Sequence, residues 1–149
     1  MARYAAELNR TASLTLAVGT LTCDATTPRR GKLYELLFGS EASPADNSFL
    51  WQVQRCTTAG TSTGVTPTAL DSADAVALSD VGENHTVTPT LTAGAILLSV
   101  PLNQRATFRW VAAPYGELVY PATANNGLAI ETPTASLVAV TATMHFEEQ

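Results

Sequence analysis

Apolar and polar residues alternate with a period of two along most of this chain, the repeat of strands with one buried face. Residues 13–18 (SLTLAV) set Leu14, Leu16 and Val18 against Ser13 and Thr15. Residues 32–39 (KLYELLFG) align Tyr34, Leu36 and Phe38, and residues 49–56 (FLWQVQRC) align Phe49, Trp51 and Val53. Residues 106–112 (ATFRWVA) turn Phe108 and Trp110 inward, with Thr107 and Arg109 outward. The longest clean alternation, residues 136–146, places Val138, Val140, Ala142, Met144 and Phe146 opposite Thr141, Thr143 and His145. Two further runs read differently. Residues 95–100 (AILLSV) are almost continuously apolar, which predicts a central strand covered on both faces. Residues 85–91 (HTVTPTL) contain Pro89, which predicts an edge. Residues 117–122 make one more strand.

Turn-forming residues fall between these runs, among them Pro44, Gly60, Pro101, Pro114, Gly116 and the Asn125-Asn126-Gly127 triplet. About eight short strands with turn signals predict an all-β fold, a single antiparallel β-sandwich or jelly-roll-like barrel. Helix is expected only within residues 69–79, capped by Asp71 or Ser72. Residues 57–69 read as a long exposed loop. Because the alternation is taken to start at Ser13, residues 1–12 are expected to form an N-terminal arm and residues 13–149 the sandwich. Tyr4 and Leu8 would be apolar anchors of that arm. Trp51, Phe108, Trp110 and Phe146 are the expected core anchors.

With 149 residues the chain is long enough for one self-sufficient core. Charged residues make up 14% of it, well below the usual quarter or so, while Ala and Thr number 24 and 22. A surface built from Thr, Ser and Ala suits contact with other protein. The net charge is −5, and the eight Lys and Arg are scattered apart from Arg29, Arg30 and Lys32. A nucleic-acid binder would carry a basic patch, so no nucleic-acid partner is expected, and the small cluster reads as a solvated turn. No apolar run reaches membrane-spanning length, and the N-terminus lacks the form of a secretion signal. No membrane partner is expected, and the chain reads as made and assembled in a cytoplasm. Asn9-Arg10-Thr11 and Asn84-His85-Thr86 match glycosylation sequons that carry little weight without secretion.

Catalytic patterns are sparse. The chain has two histidines, His85 and His145, both read as surface residues, and no G-x-S-x-G elbow. Cys23 and Cys56 match neither zinc spacing nor a C-x-x-C redox motif; they are two buried thiols or one disulfide. Asp71, Asp74, Asp80 and Glu83 could offer oxygen ligands to calcium, but loop solvation and helix capping explain them equally well. The reading is therefore a non-enzymatic protein with no cofactor and no metal. Arg105 and Arg109 either pair with acids such as Glu117 across a hairpin or face a neighbouring subunit, where Arg is favoured.

Three phrases carry a resemblance: KLYELLFGSEASPADNSFLWQVQRCTTAGT, GENHTVTPTLTAGAILLSVPLNQRATFRWVAAPYGELVYPA and VAVTATMHFEE. Together they resemble the capsid decoration, or cement, proteins of tailed bacteriophages, over roughly residues 34–148. The resemblance implies a jelly-roll-like sandwich without enzymatic activity, located on the exterior of an icosahedral virion. It implies a homotrimer that binds across subunits of the major capsid protein and stabilises the shell. Tyr4, Leu8, Arg105 and Arg109 are the candidate contact residues. The competing expectation is a receptor- or glycan-binding β-module of a phage fibre or tail.

Overall fold

The computed structural model describes residues 1–13, 15–134 and 138–149. Among these, twelve strands and no helix are found: β1 (Arg3–Thr11), β2 (Gly19–Thr22), β3 (Gly31–Ala42), β4 (Ser48–Thr58), β5 (Thr61–Val65), β6 (Thr68–Ala69), β7 (Asp80–Val87), β8 (Thr90–Asn103), β9 (Thr107–Val111), β10 (Leu118–Tyr120), β11 (Gly127–Glu131) and β12 (Ala139–Glu148). They form two antiparallel sheets. One runs β10-β3-β12-β1-β6, with β9 also on the outer side of β3; the other runs β5-β7-β2-β11-β4-β8. Most consecutive strands lie in different sheets, so the chain passes repeatedly across the core and the fold is a single all-β sandwich.

The alternation does its work in the centre. Val138, Val140, Ala142, Met144 and Phe146 of the C-terminal segment are buried, as are Phe49, Trp51 and Val53 of β4. Phe38 of β3 meets Trp51 at 4.6 Å between ring centroids, which stacks β3 over β4 and fixes the alignment of the sheets. Where β3 departs from strict alternation, a bulge is the cause. Its register with β12 shifts between His145 and Phe146, so Leu33 and Leu36 both reach the core and Tyr34 turns out. The part of the predicted strand at residues 136–137, and Leu14, lie outside the described residues.

Several sequence expectations are corrected. Residues 3–11 are not an arm. They form β1, paired with β12 along its whole length from Arg3↔Glu147 to Thr11↔Ala139, and with β6 on its other side. Tyr4 and Leu8 are accordingly core residues, with Leu8 0% exposed. Their alternation with Arg3, Glu7 and Asn9 is the same period-two signal used elsewhere, here hidden by the small Ala5 and Ala6. The strand expected at residues 13–18 forms instead at β2, just beyond. Residues 70–79 form a turn and irregular backbone, not a helix, so neither Asp71 nor Ser72 caps one; Asp71 accepts a hydrogen bond from the Ala73 N–H at 2.9 Å within the turn. The following backbone is taken by other elements. Leu78 and Ser79 donate their N–H groups to the Glu148 carboxylate, and the Ala75 carbonyl accepts from the Tyr4 hydroxyl. Residues 61–65 and 68–69, expected in a loop, are β5 and β6. Pro89 interrupts the strand expected at residues 85–91: residues 85–87 end β7, which lies between β5 and β2, while residues 90–91 begin β8, an edge strand.

The largest correction concerns residues 95–100. They belong to β8, which is the outermost strand of its sheet, not a central one. Among the described residues only β4 pairs with it, which sets Leu102, Val100 and Leu98 beside Phe49, Trp51 and Val53.

Candidate interaction surface

Because β3 lies over β4, their outer neighbours β9 and β8 lie on the same side of the sandwich. That side is open. Phe108 and Trp110 turn inward as expected, opposite Phe38 and Leu36 across the β3–β9 ladder. They are not core anchors, however. Among the described residues no strand lies beyond β9, so Phe108 is left 38% exposed and Trp110 half-buried, while Trp51 and Phe146 are fully enclosed. The same holds on β8, where Leu98 and Val100 pack on the core yet remain part-exposed. Ile96 is 46% and Val111 53% exposed. The turn after β9 holds Tyr115 in the left-handed region at φ 66°, with its ring 100% exposed. That backbone conformation is uncommon for a bulky residue, and here it presents a tyrosine to solvent.

The four residues proposed for contact are not brought together. Tyr4 and Leu8 are in the core. Arg105 is exposed in the turn from β8 to β9, its N–H bonded to Asn103 Oδ1 at 2.9 Å. Arg109 is on the outer face of β9 and pairs within the chain, though not with Glu117. Its Nε donates to Glu35 Oε1 at 2.5 Å, and the other Glu35 oxygen accepts from His145 Nδ1 at 2.9 Å. Strands β9, β3 and β12 are thus cross-linked on their outer faces. The Arg109 hydrogen bond holds the Glu35 carboxyl below its ordinary range, partial burial opposes this, and the His145 hydrogen bond reinforces it. His145 also stacks on the outward Tyr34. Leu37, Gly39, Thr107, Phe108, Arg109 and Thr143 line a shallow cleft beside this cluster.

The other chemistry-bearing residues are dispersed. His85 is not a surface residue; it is buried against Thr20, and Arg10 donates to its carbonyl at 2.9 Å. Burial lowers its pKa. Cys23 and Cys56 are buried free thiols, and burial raises Cys56 to about 11. Arg29 and Arg30 are exposed ahead of β3. Among the described residues, no three His, Cys, Asp or Glu side chains are grouped so as to hold a metal ion. No family model and no curated protein matches the chain.

Sequence reasoning missed this surface because it took residues 95–100 as a central strand and Phe108 and Trp110 as core anchors. A signal was nonetheless present: residues 90–103 contain no charged residue at all.

Proposed function

We propose that this chain is a non-enzymatic virion structural protein that decorates an icosahedral phage capsid, binding across major capsid protein subunits as a homotrimer and stabilising the shell. The observation that carries the reading is where the three resembling phrases fall. They supply β3 and β4, which stack through Phe38 and Trp51, most of β7 through β10, and β12. The resemblance to decoration proteins therefore runs through the framework of the sandwich and not through a peripheral loop. A surface poor in charge and rich in Thr and Ala agrees with work done through protein contacts. A trimer needs only modest contacts at each capsid subunit, because linking three sites raises the effective concentration of the second and third. Since residues 3–11 are part of the sheet, attachment falls to loops and strand faces.

The test is co-sedimentation of the purified protein with undecorated tailed-phage heads, followed by electron microscopy. Saturable binding at repeated lattice positions is the expected result. Absence of binding to intact heads removes the decoration reading. In that case the exposed Tyr115 directs attention to glycan binding, to be measured on a panel of host surface polysaccharides.

A further inference from the structure

We infer that His85 is an acid-sensitive latch, whose protonation releases the end of the sandwich where the β1–β2 connection, the β4–β5 turn and the end of β7 meet. Three contacts close that end over the imidazole. Arg10 Nη1 donates to the Ala17 and His85 carbonyls, both at 2.9 Å, and so ties the β1–β2 connection to β7. The Thr88 hydroxyl donates to the Thr15 carbonyl. A Cβ at Gly60 would lie 2.2 Å from the Val87 carbonyl oxygen, so the β4–β5 turn rests directly on the end of β7. Beneath them His85 is 1% exposed. Its Nε2 lies 3.3 Å from the Thr20 hydroxyl, and its Nδ1 makes no hydrogen bond.

The surroundings suit a neutral ring and no other. A buried charge is costly unless it is paired. Arg10 occupies an inward position of β1 and is already a partly buried cation. Its Nε and Nη1 are held by carbonyls, and among the described residues no carboxylate pairs with it. The elements packed around the ring bring no counter-charge: residues 11–22, 57–65 and 86–104 contain no ionisable side chain. On β1, Arg3 and Glu7 are on the exposed face. On β7, Asp80 is at the far end, and the Glu83 carboxylate accepts the Asn9 N–H at 2.7 Å. A protonated His85 therefore sets a second positive charge beside Arg10 with no acid to receive it.

The release is local because the strain is. The ionisable residues buried among those described are Tyr4, Tyr120, Cys23, Cys56 and His85. Tyrosine and cysteine are uncharged at neutral pH and stay so on acidification, so the centre of the core gains no charge. Burial above all, with the Arg10 charge, keeps the His85 pKa below its ordinary value, and the Ala59 and Ala17 carbonyls offset only part of this. In the open end the ring titrates near the ordinary ~6.5. Closure is thus at full strength above that pH and weakens as pH falls from there to the lower pKa of the closed form. Within this window one proton raises the open fraction by up to about tenfold per pH unit. The inference rests on this packing and not on the decoration reading.

The experiment is amide hydrogen exchange on the full chain from about pH 7.5 to 5, expressed as protection factors so that the intrinsic pH dependence divides out. The latch is read at residues 15–20 and 85–88, and the centre at residues 36–38 and 142–146. Latch protection should be flat above about pH 6.5 and fall up to about tenfold per unit below it, while the centre changes by less than about twofold. The His85 ring, followed by NMR, should titrate together with the loss of protection. His85→Gln, which carries no charge at any pH, should remove the slope; if that variant does not fold, the wild-type exchange and ring titration decide alone. Latch protection that is independent of pH overturns the inference. So does an equal loss at the centre, or a His85→Gln protein that keeps the wild-type slope.

Discussion

Replacing Leu8 by alanine separates a core strand from a detachable arm more sharply than any other single change. Leu8 is fully buried on β1, paired with Ala142 of β12. Opposite it lies Gly19: a Cβ at that glycine would sit 2.4 Å from Leu8 Cδ1, so the leucine rests directly on the backbone of β2. Truncation removes three carbons, worth about 2.4 kcal/mol of transfer free energy at ~0.8 per carbon. The hole they leave is walled by two hydrogen-bonded strands that cannot close over it, which adds a cavity term. The total should be about 3–4 kcal/mol, within the range of about 2–5 found for buried leucines. With a urea slope of about 2 kcal/mol/M, the unfolding midpoint should drop by roughly 1.5–2 M. Glu7→Gln, on the exposed face of the same strand, should shift stability by under about 0.5 kcal/mol. Urea titrations followed by tryptophan fluorescence measure both. A Leu8→Ala cost below about 1 kcal/mol would refute the assignment of residues 3–11 to the core.

Deleting residues 1–11 should abolish the cooperative unfolding transition, checked by calorimetry, because it strips β12 of its full-length partner. Trp51→Ala should cost about 3–5 kcal/mol and Phe108→Ala clearly less in the dissociated chain; equal losses in denaturant melts would mean that β9 is not an edge. The Glu35 carboxyl, its pKa lowered, stabilises the fold above its ordinary pKa of about 4.3 and loses that contribution as pH falls below it. Arg109→Ala should raise the Glu35 pKa in an NMR titration, and Glu35→Gln should flatten the acid limb of the melting profile. Cys56, with its pKa raised to about 11, should resist thiol reagents in the native protein and react once it is unfolded in denaturant.

Local pattern alone was enough for the all-β class, for the inward set of β4 and β12, and for the inward direction of Phe108 and Trp110. Each is a statement about which side of a strand a residue occupies, and a strand's two faces are written in its own residues. The lateral order of strands is not written there. Residues 95–100 look central because they are apolar, yet β8 lies at an edge; residues 3–11 look like a tail because they come first, yet β1 lies between β12 and β6. Position within a sheet depends on backbone pairing between segments far apart in sequence, such as Tyr4 with Phe146, and no short window contains both partners. The Arg109–Glu35–His145 cluster was out of reach for the same reason. Its members stand on three strands that only the assembled sheet makes neighbours, just as only the assembled sandwich sets β8 beside β9 and leaves that side open.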